Sequence, residues 1–201
     1  MKDIVKNIFE NEAAAIRKIP VGNTYEKVIE MLYQHIHVKN GKLITSGMGK
    51  AGQIAHTIAT TFSSTGTPSV FLHPSEAQHG DLGILQKNDV LLTISNSGKT
   101  REIIELIDLK NNLFPLIPVI VITGNEHSPL ALRADYLIST GSPSEVCPLG
   151  LTPTTSTTVF TVIGDALVVL MMKRIGFTSE DYSKRHHGGY LGMKSREKSG
   201  Q

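Results

Sequence analysis

Residues 43–62 read LITSGMGKAGQIAHTIATTF, and the pattern changes twice within them. Leu43 to Thr45 is a short apolar run, Ser46 to Gly49 is a glycine-containing turn, and Ile54, Ile58 and Phe62 recur at helical spacing. This predicts a buried strand that passes through a tight turn into a helix beginning near Lys50. Gly47 and Gly49 let the chain turn and let a ligand approach the main chain, while the helix N-terminus supplies partial positive charge. The same residues also suit a plain strand-to-helix turn with no ligand, so the motif alone does not decide between the two.

Outward from this stretch the alternation repeats. Val70 to Leu72, Val90 to Ile94, Val119 to Ile122 and Tyr136 to Ile138 read as further buried strands, and Ile103, Ile104 and Ile107 mark a helix between two of them. Continuous β-branched runs alternating with helical segments predict an α/β fold, a doubly wound sandwich with a five-stranded parallel sheet flanked by helices. Ile4, Ile8, Phe9 and Ile16, then Tyr25, Val28, Ile29 and Leu32, predict two amphipathic helices ahead of it. Thr154 to Ile175 is apolar on all sides, which predicts a buried helix, expected between subunits of a homo-oligomer. Residues 1–193 read as one domain and 194–201 as a disordered tail.

Composition narrows the partners. Of 201 residues 40% are hydrophobic and 19% charged, enough for one core, and 20 Lys and Arg against 18 Asp and Glu leave a net charge of only +2. With no helix-turn-helix segment and no basic extension, no nucleic-acid partner is expected. Cys147 is the only cysteine, so no disulfide forms within the chain, and the charged N-terminal segment lacks the apolar core of an export signal. A cytoplasmic protein is expected. The longest apolar stretch, Val162 to Met172, is about half a bilayer span and contains Asp165, so no membrane span is expected either.

Three further segments carry chemistry. Ser95-Asn96-Ser97-Gly98-Lys99-Thr100 follows VLLTI and precedes a helix starting near Arg101; hydroxyls, a glycine and a helix start within six residues suit a phosphate, or else cap the helix. Its spacing is not that of a nucleotide P-loop. In GTPSVFLHPSEAQHGDLG (residues 66–83), His73, Glu76, His79 and Asp81 flank a loop at a strand end, more as hydroxyl-reading groups than as a metal set. In residues 144–158, SEVCPLGLTPTTSTT, the Thr/Ser run either caps the long helix or adds hydroxyl donors to a phosphate pocket, and Cys147 reads as a packed small residue.

Taken together, GMGKAGQIA, STGTPSVFLHPSEAQHGDLG, SNSGKTREI, EVCPLGLTPTTSTT, GDAL and HHGGYLG resemble the SIS (sugar isomerase) domain of bacterial D-arabinose 5-phosphate isomerases over about residues 40 to 193. The resemblance implies an SIS fold and interconversion of D-ribulose 5-phosphate with D-arabinose 5-phosphate, in a form without the usual pair of CBS domains. That reaction feeds synthesis of the lipopolysaccharide sugar 3-deoxy-D-manno-octulosonate. By motif, the family's catalytic positions fall on Lys50, Glu102, Glu145 and His186. Its substrate contacts fall on Gly66, Thr67, His73 and His79, beside the phosphate cradle of Ser46, Gly47, Ser95, Asn96, Ser97 and Thr100. His73 also matches an occasional metal position, such as zinc, although no cofactor is required. The family also implies a tetramer. Where it usually reads HPGG, this chain has His186-His187, and Lys99, where close relatives often carry Glu, reads as facing solvent.

Aldose–ketose isomerisation needs a base for a proton alpha to a carbonyl, stabilisation of the enediolate oxygen, and a proton carrier for the neighbouring carbon and oxygens. The expected roles are Glu145 as base, Lys50 at the oxyanion and His186 in ring opening or proton shuttling. Glu102, in a first helical turn, suits the macrodipole as well as catalysis. The alternatives are isomerisation of another phosphosugar, or a catalytically silent module that binds one.

Overall fold

The computed structural model describes residues 1–199. Strands β1 (Leu43–Gly47), β2 (Ser69–Phe71), β3 (Val90–Ile94), β4 (Val119–Thr123) and β5 (Tyr136–Ser139) form one parallel sheet in the order β2-β1-β3-β4-β5. β1, β3 and β4 are buried at every position, which is why β3 and β4 read as near-continuous apolar runs rather than as alternating ones, while β1 ends on the small residues Ser46 and Gly47.

The pleat sorts these residues between two cores. Leu43, Leu92, Ile94, Ile120 and Ile122 face helices α2 (Thr24–Leu32), α3 (Gly49–Ser64) and α6 (Thr155–Ile175), through Leu32, Phe62, Phe160 and Leu167 among others. Ile44, Leu91, Val119 and Val121 face the short α4 (Pro74–Ala77) and α5 (Arg101–Leu113), packing with Ala77, Ile103, Leu106 and Ile107. The expected five-stranded doubly wound sandwich is the observed one.

Two approaches set the position of α3. A side chain at Gly52 would stand 2.5 Å from the Gly47 carbonyl oxygen, so the first turn of α3 lies directly on the end of β1. A side chain at Gly164 of α6 would stand 2.5 Å from Ile58 Cγ1, so α6 closes tightly on α3.

The predicted helix is α6: nine of its 21 residues are buried within the chain, while Val169 and Leu170 are exposed on it. Among the described residues α6 alone is long and apolar enough to cross a membrane, yet half of that window is buried inside the chain. Gly176 ends it at φ +64°, and the Phe177 amide donates to the Met172 carbonyl at 2.9 Å, a Schellman turn. α7 (Ser179–Ser183) and α8 (Gly189–Ser199) follow. The segment expected to be disordered from 194 continues as α8 through Ser199, and residues 200 and 201 lie outside the described residues.

The N-terminal helix α1 (Lys2–Arg17) packs on α6. After α2 the chain widens into a π-helical turn over Tyr33–Val38, where the sequence pattern shows only more helix.

Candidate active site

Strand order reverses between β1 and β3, which are neighbours although β2 separates them in sequence. The helices that leave their carboxyl ends, α3 and α5, pack on opposite faces of the sheet, and this opens a crevice of the kind that holds ligands in open α/β sheets. A cavity of about 350 Å³ lies there. Lys50, Ser95, Asn96, Ser97, Thr100 and Glu145 line it, joined by Ser156 and Thr157 at the start of α6.

The Ser95–Thr100 loop is built from its own hydroxyls. Ser95 Oγ lies 2.9 Å from Thr100 Oγ1 and accepts the Gly98 amide at 3.2 Å, and Ser97 Oγ accepts the Lys99 amide at 3.2 Å. Gly98 takes φ +63°, and a side chain there would collide with Ser128. Thr100 makes no side-chain cap to α5, so capping does not account for the hydroxyls of this loop. Asn96 Oδ1 is buried with no partner. Lys99 is exposed, as read from sequence.

Glu145 does the capping at α6. Its Oε2 accepts the Thr154 amide at 2.7 Å, the Thr154 hydroxyl at 3.0 Å and the Ser156 amide at 3.2 Å, while Thr154 supplies no side-chain cap of its own. Oε1 carries none of these three bonds. Burial pushes the Glu145 carboxyl up, but the Ser156 hydroxyl, the Thr154 and Ser156 amides and the Thr154 hydroxyl together outweigh it and hold the group below its ordinary value. Glu145 is therefore ionised at neutral pH, and Lys50 stands in the first turn of α3 on the same cavity.

Other expected residues stand elsewhere. The Ser46 hydroxyl donates to the Leu72 carbonyl at 2.7 Å and is fully buried, tying β1 to the end of β2 rather than lining the cleft. Glu102 sits half-buried in the first turn of α5, outside the cavity lining. Gly47 and His73 line a second cavity with His56 and Phe71, where His73 Nδ1 is buried without a partner; His79 is exposed in the turn after α4. No three His, Cys, Asp or Glu side chains gather as a metal set among the described residues.

Gly66, Thr67 and His186 are at the other end of the molecule. Gly66 and Thr67 follow the C-terminus of α3, which is roughly 24 Å long from its start at the cleft. Thr67 Oγ1 meets His37 Nε2 at 3.1 Å. A side chain at Gly66 would stand 2.9 Å from the Phe177 ring, just beyond α6. His186 stacks on Tyr182 at 3.7 Å and its Nδ1 lies 3.0 Å from the Tyr182 carbonyl. Within one chain, these three residues form no part of the cleft that holds Lys50 and Glu145.

The motif reading did not single out Glu12 or His56. The Glu12 carboxylate accepts a hydrogen bond from Thr155 across 143 positions, and no local pattern signals such a contact. Cys147 is also not simply packed: it lies on the loop over the cleft, and hydrogen bonds from the Thr152 hydroxyl and the Thr152, Leu151 and Leu149 amides bring its thiol down to about 7.

Residues 35–170 match the SIS-domain family model. The chain belongs to the SIS family. This SIS domain is 45% identical to the arabinose 5-phosphate isomerase KdsD of Pseudomonas aeruginosa over 174 residues, 87% of this chain and 52% of that protein. It thus spans about half the length of the curated relatives it matches. Among solved structures, a putative phosphosugar isomerase involved in capsule formation from Bacteroides fragilis NCTC 9343 is 66% identical, with a TM-score of 0.93 over 94% of this chain and 99% of that one. A protein of Escherichia coli CFT073 in complex with arabinose 5-phosphate is 36% identical, with a TM-score of 0.85 over 92% and 96%.

Proposed function

We propose that this SIS domain is an aldose–ketose isomerase that interconverts D-ribulose 5-phosphate and D-arabinose 5-phosphate through an enediolate. The observation that carries the proposal is the meeting of a hydroxyl-rich loop, a lysine and an ionised glutamate in one crevice at the switch point of the sheet. Similarity to isomerases named for this substrate supports the choice of sugar, as does that to a structure holding arabinose 5-phosphate.

In this mechanism the phosphate docks on the Ser95–Thr100 loop and the N-terminus of α5, with Ser97 among its donors. Glu145 takes the proton from the carbon alpha to the carbonyl, and its Oε1 is the oxygen available, since Oε2 is held by α6. Lys50 stabilises the charge that develops on the carbonyl oxygen, and Glu145 returns the proton to the neighbouring carbon. The two electrons of the broken C–H bond stay within the substrate, so no redox cofactor is required. Neither is a metal part of the proposed steps. Glu102 serves α5 through the macrodipole, a role that suits its place outside the cavity lining.

Ring opening and proton transfer between oxygens fall to His186, delivered by a second copy of the chain. Two observations favour this arrangement: the expected site residues divide between opposite ends of one protomer, and a groove of about 1060 Å³ lined by Ile16, Ile19, Ile29, Val162 and Leu170 leaves apolar surface of α1, α2 and α6 to be covered. A homotetramer in the cytoplasm, supplying lipopolysaccharide-sugar synthesis, is the setting proposed for it. The test is a screen of pentose and hexulose phosphates with pure protein, with and without a chelator. Turnover of arabinose 5-phosphate above all others, unaffected by the chelator, is the expected result; no turnover of any sugar phosphate leaves a binding module instead.

A further inference from the structure

Glu12 belongs to α1, outside the 35–170 span of the family match. Its Oε1 accepts a 3.0 Å hydrogen bond from Thr155 Oγ1, and Thr155 Oγ1 in turn accepts the Val146 amide at 3.1 Å. A threonine hydroxyl has one hydrogen, so donating it to Glu12 leaves its lone pairs turned towards Val146. Thr155 is 1% exposed, so its hydroxyl is shielded from solvent. Val146 is the residue after Glu145, whose Oε2 is held by the two neighbours of Thr155, namely Thr154 and Ser156. The α1 carboxylate, the first turn of α6 and the Glu145 loop are thus linked through one hydroxyl.

We propose that Glu12 is a positioning residue: by fixing the direction of the Thr155 hydroxyl it holds the Val146 peptide, and through it the Glu145 side chain, in the place that proton transfer needs. This rests on the reading of Glu145 as the base. Packing alone does not call for an acid here. Ala15 on the same helix packs against the core with a methyl group, whereas Glu12 buries Oε2 with no partner. Small displacements of a catalytic group are costly, since about 1 Å can lower a rate on the order of 100-fold.

The test compares Glu12→Ala, Glu12→Gln, Thr155→Val and the Glu12→Ala/Thr155→Val double variant in the full chain. Glu12→Ala is expected to lower kcat about 10-fold or more with KM within about twofold, because the phosphate loop is untouched. Glu12→Gln, whose amide oxygen still accepts from Thr155, recovers most of the loss. Thr155→Val matches Glu12→Ala, and the double variant is no worse than either single one, as for two members of one unit. Amide exchange at Val146, read by NMR, is faster in Glu12→Ala and Thr155→Val than in wild type, and this does not depend on activity. Unchanged Val146 exchange, or a drop in thermal stability with kcat unchanged, overturns the relay. Wild-type inactivity towards every phosphosugar instead defeats the isomerase reading, while the exchange measurement still decides whether the relay exists.

Discussion

Glu145 has two possible reasons to be acidic, and its two oxygens separate them. Oε2 caps α6, while Oε1 carries none of the three capping bonds. Glu145→Gln keeps a carbonyl oxygen for the α6 amides but removes the base, so kcat is expected to fall by roughly 10²-fold or more with phosphate binding retained, measured by steady-state kinetics and inorganic-phosphate inhibition. Because the folded carboxyl lies below its ordinary 4.5, the capping contributes stability that is present above about that value and is lost as pH falls through the folded one. The stability gap between wild type and Glu145→Gln, from urea unfolding across acid pH, should therefore narrow as pH drops below the ordinary glutamate range. At the phosphate loop, Ser97→Ala is expected to raise KM and leave kcat nearly unchanged, since that contact exists in both ground and transition states. An unchanged KM removes Ser97 from the cradle.

At the scale of elements, what could be read from sequence followed from burial. Val90–Ile94 and Val119–Thr123 are covered on both faces, so each position must be apolar or small and the strands stand out without alternation. The π-helical turn at Tyr33–Val38 was not legible, because its side chains keep a helical pattern while only the backbone bonding changes. The Ser46 hydroxyl illustrates a third case: a small polar residue in a glycine turn suits a ligand or a neighbouring carbonyl equally well, and only the packing of β2 beside β1 sends it to Leu72. The placement of α3 makes a prediction of its own. Alanine at Gly52 gains about 1 kcal/mol of helix propensity. The new methyl, however, meets the Gly47 carbonyl oxygen at 2.5 Å, where backbone rather than a flexible side chain must move. Gly52→Ala is expected to destabilise by about 1–3 kcal/mol in urea unfolding and to lower kcat by shifting Lys50. A more stable variant would show that α3 is free to slide.

For the molecule as a whole, the motifs identified more residues than a single chain brings together. Lys50, Ser95, Asn96, Ser97, Thr100 and Glu145 share one cavity, whereas Gly66, Thr67 and His186 lie past the far ends of α3 and α6. Sequence order holds no information on which end of a helix faces which copy, so this division was invisible before the fold. If the far end of one copy serves the cleft of another, mixing inactive Glu145→Gln with inactive His186→Ala protein, after dissociation and reassembly, restores turnover, because some clefts then combine two intact contributions. No restored activity, or a monomer by light scattering at micromolar concentration, speaks against a shared site. His187→Ala, one position on, should cost far less than His186→Ala.

The central claim is that an ionised glutamate at the switch point moves a proton between carbons of a phosphosugar. Following D-arabinose 5-phosphate by NMR in heavy water with wild type and Glu145→Gln tests it most directly. The account predicts conversion to D-ribulose 5-phosphate by the wild type, with solvent deuterium at the receiving carbon in the fraction of turnovers in which the proton held on Glu145 exchanges before its return, and both slowed by roughly 10²-fold or more in the variant. A sugar phosphate that binds but stays unconverted and unlabelled with the wild type, or conversion at a near wild-type rate in Glu145→Gln, would contradict it.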